Sequence, residues 1–381
     1  MTPLLRARQL GMSLVELMVG MAIGLIGITI ITHLYLTNEK YKRSTTGSGT
    51  AQVNGAIALY TLERDIRMAG FGLNHSGALG CSCNKVANPD CSAVQYWYNG
   101  VYSSPPGPAG GALPPLEFAP VVIRETPNLP DTITLLYGND PERMLPGKLT
   151  ESMPQPSSEF KVDGTAGYTI NDMVLVTNGA TCMLTQVTQV QTAASHLQHN
   201  PGTSLWNPAG GGSALPAFPA GANLFNLGNP IWRTYSIDSA ATKSKLQIQE
   251  VMTSAGGPTA ATTATPIIDD IVDLQAQYGK DTDDNGVVET WNTVTPTNGA
   301  QWQQVLAIRI VVLARSGNYE RPSDAGGACE ATTVDNRPKW GDAGALQDFP
   351  VLMVAGALPS CYKYRAFETI IPLRNMIWRP A

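Results

Sequence analysis

The hydrophobic pattern divides the chain sharply. From Met12 to Leu36 it reads MSLVELMVGMAIGLIGITIITHLYL, with one acidic residue, Glu16, and no Lys or Arg. As a helix this run is about 38 Å long, enough to cross a hydrocarbon core of about 30 Å. No second run approaches it. The pattern predicts a single membrane helix over 12–37, with everything beyond it on one side. Helical spacing then resumes over 38–72. Val53, Ile57, Leu59, Leu62, Ile66 and Ala69 carry the apolar face, with Glu63, Arg64, Asp65 and Arg67 between them. The GSG at 47–49 predicts a break or bend, and Gly70-Phe71-Gly72 a stop.

From about residue 73 to residue 381 the pattern is that of a β-rich head. Strand-like runs fall at 132–137, 172–177, 182–191, 231–237, 245–251, 304–314 and 366–373. The run VLAIRIVVLA at 305–314 is apolar almost throughout, which predicts a central strand. One further helix is expected at about 266–278. Thr265 would cap it, Pro266 suits its first turn, and Ile267, Ile271, Leu274 and Tyr278 would share a face. Segments 101–120 and 201–222 are rich in Gly, Pro and Ala and read as long loops.

Composition narrows the function. Charged residues make up 14% of the 381 residues, against a usual fraction of about 25%. Gly and Pro number 37 and 28, too many for a helical bundle and too irregular for collagen. The net charge of -5 gives no basic field for a nucleic-acid partner. A phosphate loop, a G-x-S-x-G elbow, an H-E-x-x-H pair and a dinucleotide fingerprint are all missing from the sequence. His196 and His199 lie in SHLQHNPG, which reads as a solvated polar loop. No enzyme is expected.

The N-terminus carries the most specific signal. Residues 1–11 form a short leader with Arg6 and Arg8, ending in Gly11, and Met12-Ser13-Leu14-Val15-Glu16 follows. This arrangement resembles the processing site of type IV prepilins and type II secretion pseudopilins. The segment LERDIRMAGFG at 62–72 is similar to W-type (PilW) pilus-assembly minor pilins, and to the related J-type pseudopilins. So are QYGKDTDDNGVVETW, within 277–291, and YKYRAFETIIPLRNMIW at 362–378.

The resemblance implies an α+β, type IV pilin-like fold: a long N-terminal helix on a β-rich head. It implies cleavage after Gly11 by a prepilin peptidase and methylation of Met12. Glu16 would then pair with a neighbour's N-terminus during assembly. Independently, an ionisable residue inside a membrane span is costly and is a functional candidate by default. Lys40, Lys42 and Arg43 beyond the span balance the leader, so charge alone does not orient it. The processing motif places the head in the periplasm. Expected partners are other minor pilins, the major pilin, the peptidase, the inner membrane and a tip adhesin. The expected role is noncatalytic: priming of pilus assembly from the inner membrane, with a place near the pilus tip. A J-type secretion pseudopilin and a membrane-tethered binding protein or adhesin stand as alternatives. Gly20 and Gly24 have the small-xxx-small spacing of close helix contacts, and Gly27 lies on the same stripe.

Two further sets of residues bear on chemistry. Asp281-x-Asp283-x-Asn285-Gly286 is the front of an EF-hand-type calcium loop, with Glu289 at its ninth position. A helix is expected before it. The twelfth position is Asn292 rather than a bidentate Glu. An acidic turn closed by its own side chains is the competing reading. Cys81, Cys83, Cys91, Cys182, Cys329 and Cys361 all lie in the head. Their even number in an oxidising compartment predicts disulfides, with fifteen full pairings open.

Overall fold

The computed structural model describes residues 12–73, 79, 118–139, 142–143, 145–153, 159–179, 182–201, 203, 207, 217–239, 243–250, 264–320, 322, 327, 329–353 and 360–377. Most of the predicted loop 101–120 and much of 201–222 lie outside them.

Helix α1 runs unbroken over Leu14–Met68, about 82 Å at 1.5 Å per residue. The head begins with β1 (Val121–Arg124) and β2 (Thr132–Tyr137), followed by β3 (Gly147–Lys148), β4 (Glu159–Lys161), β5 (Met173–Thr177), β6 (Cys182–Gln186), β7 (Gln189–Gln191), β8 (His196–Gln198) and β9 (Asn223–Gly228). Then come β10 (Ile231–Asp238), β11 (Lys245–Glu250), β12 (Thr265–Asp269), β13 (Ile271–Lys280), β14 (Thr290–Asn292), the short helix α2 (Gly299–Gln303) and β15 (Val305–Arg315). The chain closes with β16 (Lys339–Trp340), β17 (Gln347–Asp348), α3 (Pro350–Met353), β18 (Tyr364–Pro372) and α4 (Arg374–Ile377).

Two antiparallel sheets hold α1. One has the order β14-β13-β15-β18 and the other β1-β2-β10-β11-β12. Leu62, Ile66 and Ala69 of the helix enter one core with Leu135, Tyr235, Leu274, Tyr278, Ile308, Ile310 and Val312 from these sheets. β15 is buried along its whole length, as its apolar run predicts. It pairs with β13 on one side and β18 on the other.

Two large excursions leave these sheets and return. β2 and β10 are direct neighbours, with Tyr137 opposite Ile231. The chain between them makes a four-stranded sheet, β3-β9-β5-β6, and a three-stranded one, β4-β8-β7. These carry a separate core of Phe160, Val174, Val176, Leu197, Phe218 and Leu224. β15 and β18 are also neighbours. Their connection holds β16 and β17 and is tied by a disulfide between Cys329 and Cys361.

Several expectations fail for physical reasons. The expected helix at 266–278 is the strand pair β12 and β13, with Asp270 turning between them at φ 60°. Leu274, Ala276 and Tyr278 alternate into the core, so period 2 wins over the helical spacing of Ile271, Leu274 and Tyr278. Pro266 sits on edge strand β12, where its missing N–H costs little. The bend expected at 47–49 is absent. Gly47 is buried in a continuous helix, and an added Cβ there would meet Asn318 Cβ at 3.3 Å. The helix buries Gly47, Ala51, Gly55, Ala58, Leu62, Asp65 and Ile66. Val53 and Ile57, expected on the packed face, are exposed. Over 47–58 close approach to the sheet selects small residues and turns Val53 and Ile57 outward, while Leu62 and Ile66 fill the core further along.

Candidate functional site: the N-terminal helix and the acidic hairpin

Gly11 lies outside the described residues, and Met12 is exposed at the chain's described start. Ser13 caps α1, its hydroxyl accepting from the Val15 N–H at 3.3 Å. Glu16 follows in the first turn, exposed. A carboxylate there is favoured by the helix N-terminus. The Ser13-x-x-Glu16 spacing matches a capping box, a structural reason for Glu16 that the membrane argument missed. The most apolar stretch of the helix is not buried by any of the described residues. A Cβ added at Gly20, Gly24 or Gly27 would meet nothing within 4 Å.

The head takes hold of the helix at Arg43 and Ser44. Asn318 Nδ2 donates to the Arg43 carbonyl at 3.3 Å, and Lys363 Nζ donates to Ser44 Oγ at 2.7 Å. At the other end Asn375 Nδ2 donates to the Met68 and Ala69 carbonyls, both at 3.1 Å, satisfying the open end of α1. Between these points lies a buried polar clamp. Asp65 of α1 ion-pairs with Arg233 of β10 and accepts from Tyr235 Oη at 2.6 Å. Arg233 also pairs with Glu250 of β11. Burial and then the Asp65 carboxylate hold the Tyr235 phenol well above its ordinary pKa. The sequence placed Asp65 among surface charges. Arg233 and Tyr235 lie more than 160 residues away, beyond the reach of any local pattern.

The acidic loop is the hairpin between β13 and β14, so a strand and not a helix precedes it. Asp281 is buried, and its carboxylate accepts from Asn285 N at 3.1 Å and Gly286 N at 2.7 Å. Burial pulls its pKa up. The N–H groups of Gly286, Asn285, Asp284 and Asp283 outweigh that and hold it below the usual carboxylate range. Asn285 Oδ1 accepts from Val287 N at 2.7 Å, and Glu289 Oε2 accepts from Thr282 N at 2.8 Å. Asp284 and Gly286 take φ of 64° and 84°, so the turn needs a glycine or a short polar side chain. Asp281, Asp283 and Glu289 each bring a carboxylate oxygen within 4.8 Å of the others. These three could hold a cation. Asn285 is engaged with its own turn, and Asn292 Oδ1 accepts from Val294 N at 3.1 Å.

Cys329 and Cys361 are bonded to each other, and Cys182 is also disulfide-bonded. Cys81, Cys83 and Cys91 lie outside the described residues. The histidine reading is corrected. His196 lies on β8, and His199 is buried with its ring stacked on Phe160 at 4.2 Å. Burial lowers the His199 pKa to about 4.

Residues 6–32 match the prokaryotic N-terminal methylation motif. Residues 234–375 match the family Type IV Pilus-assembly protein W. No curated protein and no solved structure matches the chain. The first match covers the start of α1, and the second runs from the Asp65-binding strand β10 through β18 into α4. Over these two stretches, and in its long helix seated on a β-rich head, the chain is similar to type IV pilus-assembly W proteins.

Proposed function

We propose that this protein is a noncatalytic minor pilin. It joins other minor pilins in the inner membrane, primes assembly of a type IV pilus and stays near the tip. The observation that carries the reading is the bare apolar half of α1, with Glu16 in its first turn, ahead of a half locked into the head. A helix that meets none of the described head is suited to lipid or to neighbouring helices. Glu16 would draw the freed N-terminus of an adjacent subunit into register. Cleavage after Gly11 and methylation of Met12 would supply that N-terminus, with the head in the periplasm. The match to a pilus-assembly family favours a pilus over a secretion pseudopilus.

The test has two parts. The intact mass of membrane-extracted protein, with and without its prepilin peptidase, is expected to show a peptidase-dependent chain starting at methylated Met12. Glu16→Ala is expected to abolish piliation and recovery of the minor-pilin complex. Unchanged piliation with Glu16→Ala would remove the pairing mechanism.

Calcium at the β13–β14 hairpin is a separate proposal, favoured by the three convergent carboxylates. Asp281, Asp283 and Glu289 would hold it as hard oxygen ligands. With no bidentate ligand at the twelfth position, binding would be weak.

A further inference from the structure

The apolar run ends at Leu36, and the head first touches the helix at Arg43. The seven residues 37–43 cover about 10 Å of helix. Each headgroup layer is about 5–8 Å deep, so this neck crosses the layer and little more. It carries Lys40, Lys42 and Arg43, all exposed, with Tyr35 and Tyr41 exposed beside them. Arg43 is paired with Glu39 at 2.9 Å. Lys40 and Lys42 are left as exposed ammonium groups. At 3.6 residues per turn, Lys40 lies on the stripe of Gly47, Ala51 and Ala58, directly beneath the head. Lys42 lies on the opposite side, one heptad beyond Tyr35. The positive charge therefore surrounds the neck. Above it, Lys363 is already committed to Ser44 and to Glu320 at 3.0 Å.

We propose that the neck of α1 is a binding collar for anionic phospholipids, with Lys40 and Lys42 holding headgroup phosphates just below the head. The proposal rests on the reading of residues 12–36 as membrane-spanning. Its chemistry is charge complementarity at a fixed depth. Tyrosines favour the interface, and basic residues beside an anionic surface each strengthen attraction about fivefold. The collar would set how deep the anchor sits before the subunit leaves the bilayer.

The full chain is placed in phosphatidylcholine vesicles with a trace of spin-labelled phosphatidylglycerol or spin-labelled phosphatidylcholine. The motionally restricted fraction of each label reports which lipid contacts the protein. The wild type is expected to prefer phosphatidylglycerol. Lys40→Gln with Lys42→Gln is expected to cut that preference by roughly tenfold or more, and Lys40→Arg with Lys42→Arg to keep it. Glu39→Gln is expected to raise it. Equal preference in the wild type and the double Gln variant overturns the collar, since leader and head are common to both. Restricted lipid with no anionic preference in the wild type overturns it too, while leaving the membrane reading intact. No restricted lipid of either kind overturns the membrane reading and the collar together.

Discussion

Gly24 and Gly55 both sit inside α1, yet an added Cβ would meet nothing within 4 Å at the first and would fall on the Phe367 ring at the second. The same contrast holds for the acids. Glu16 is exposed in the lower half, whereas Asp65 is buried against Arg233 and Tyr235 in the upper half. One helix thus has two kinds of partner. The upper half is finished by its own chain. The lower half meets none of the described residues of the head. Substitutions in the upper half should act on folding of the head, and those in the lower half on assembly.

The sharpest break comes at Asp65. Asp65→Ala leaves the buried Tyr235 hydroxyl without its acceptor and Arg233 with Glu250 alone, and is expected to cost about 3 kcal/mol. Denaturant unfolding followed by tryptophan fluorescence measures it. Glu16→Ala should leave that curve where it is, and a similar loss in both would end the division of the helix. Gly55→Leu is expected to cost about 3 kcal/mol through overpacking on Phe367. Gly24→Leu should leave head stability unchanged while lowering recovery of assembled complexes.

Proton linkage sharpens the comparison, because the buried titrating groups with large shifts belong to the head. Asp131 is buried, and its pKa is pushed up to about 7 by burial, with the Asp273 and Glu125 carboxylates adding to the effect. The Ala276 N–H, donating at 2.9 Å, opposes it. The folded value lies above the unfolded one. Its stabilising contribution is therefore complete below about pH 4 and is lost as pH rises to about 7. His199 runs the other way. Its contribution is present above about pH 6.5 and is lost as pH falls to about 4. Each effect is on the order of 2–4 kcal/mol at full extent. Asp131→Asn should remove the loss that develops as pH rises from about 4 to about 7, and His199→Phe the loss that develops as pH falls from about 6.5 to about 4. Profiles that both variants leave unchanged would show that these groups do not titrate as placed.

The smallest effect is expected at the β13–β14 hairpin. Its backbone hydrogen bonds already close the turn. Chelators should therefore shift unfolding by no more than a few tenths of a kcal/mol, and calcium should bind at about millimolar strength. Calorimetry with Asp281→Ala and Asp283→Ala checks this. A heat that survives both substitutions places calcium elsewhere, and no heat removes it.

Much of this fold was legible because the signals are local. Strands Thr132–Tyr137, Ile231–Asp238, Lys245–Glu250 and Val305–Arg315 stand where the runs at 132–137, 231–237, 245–251 and 304–314 predict, apolar runs marking the first and last and alternation the middle two. Reading failed where two local patterns fit one segment. Ile271, Leu274 and Tyr278 satisfy a helix, while Leu274, Ala276 and Tyr278 satisfy a strand. Only pairing with β15 along nearly the whole of β13 decides between them. His199 looked solvated because its neighbours are polar, and Phe160 covers it from another strand.

The sequence by itself determined the long apolar helix and the N-terminal methylation motif, since each depends on a continuous stretch of chain. Tertiary structure alone decided which face of the upper helix is buried, where Asp65 finds its cation, and how the excursion between β2 and β10 acquires a core of its own. These depend on approach distances and on partners far apart in the chain. A glycine announces that something can come close; only the folded chain shows that at Gly55 it is Phe367, and at Gly24 nothing from the same molecule.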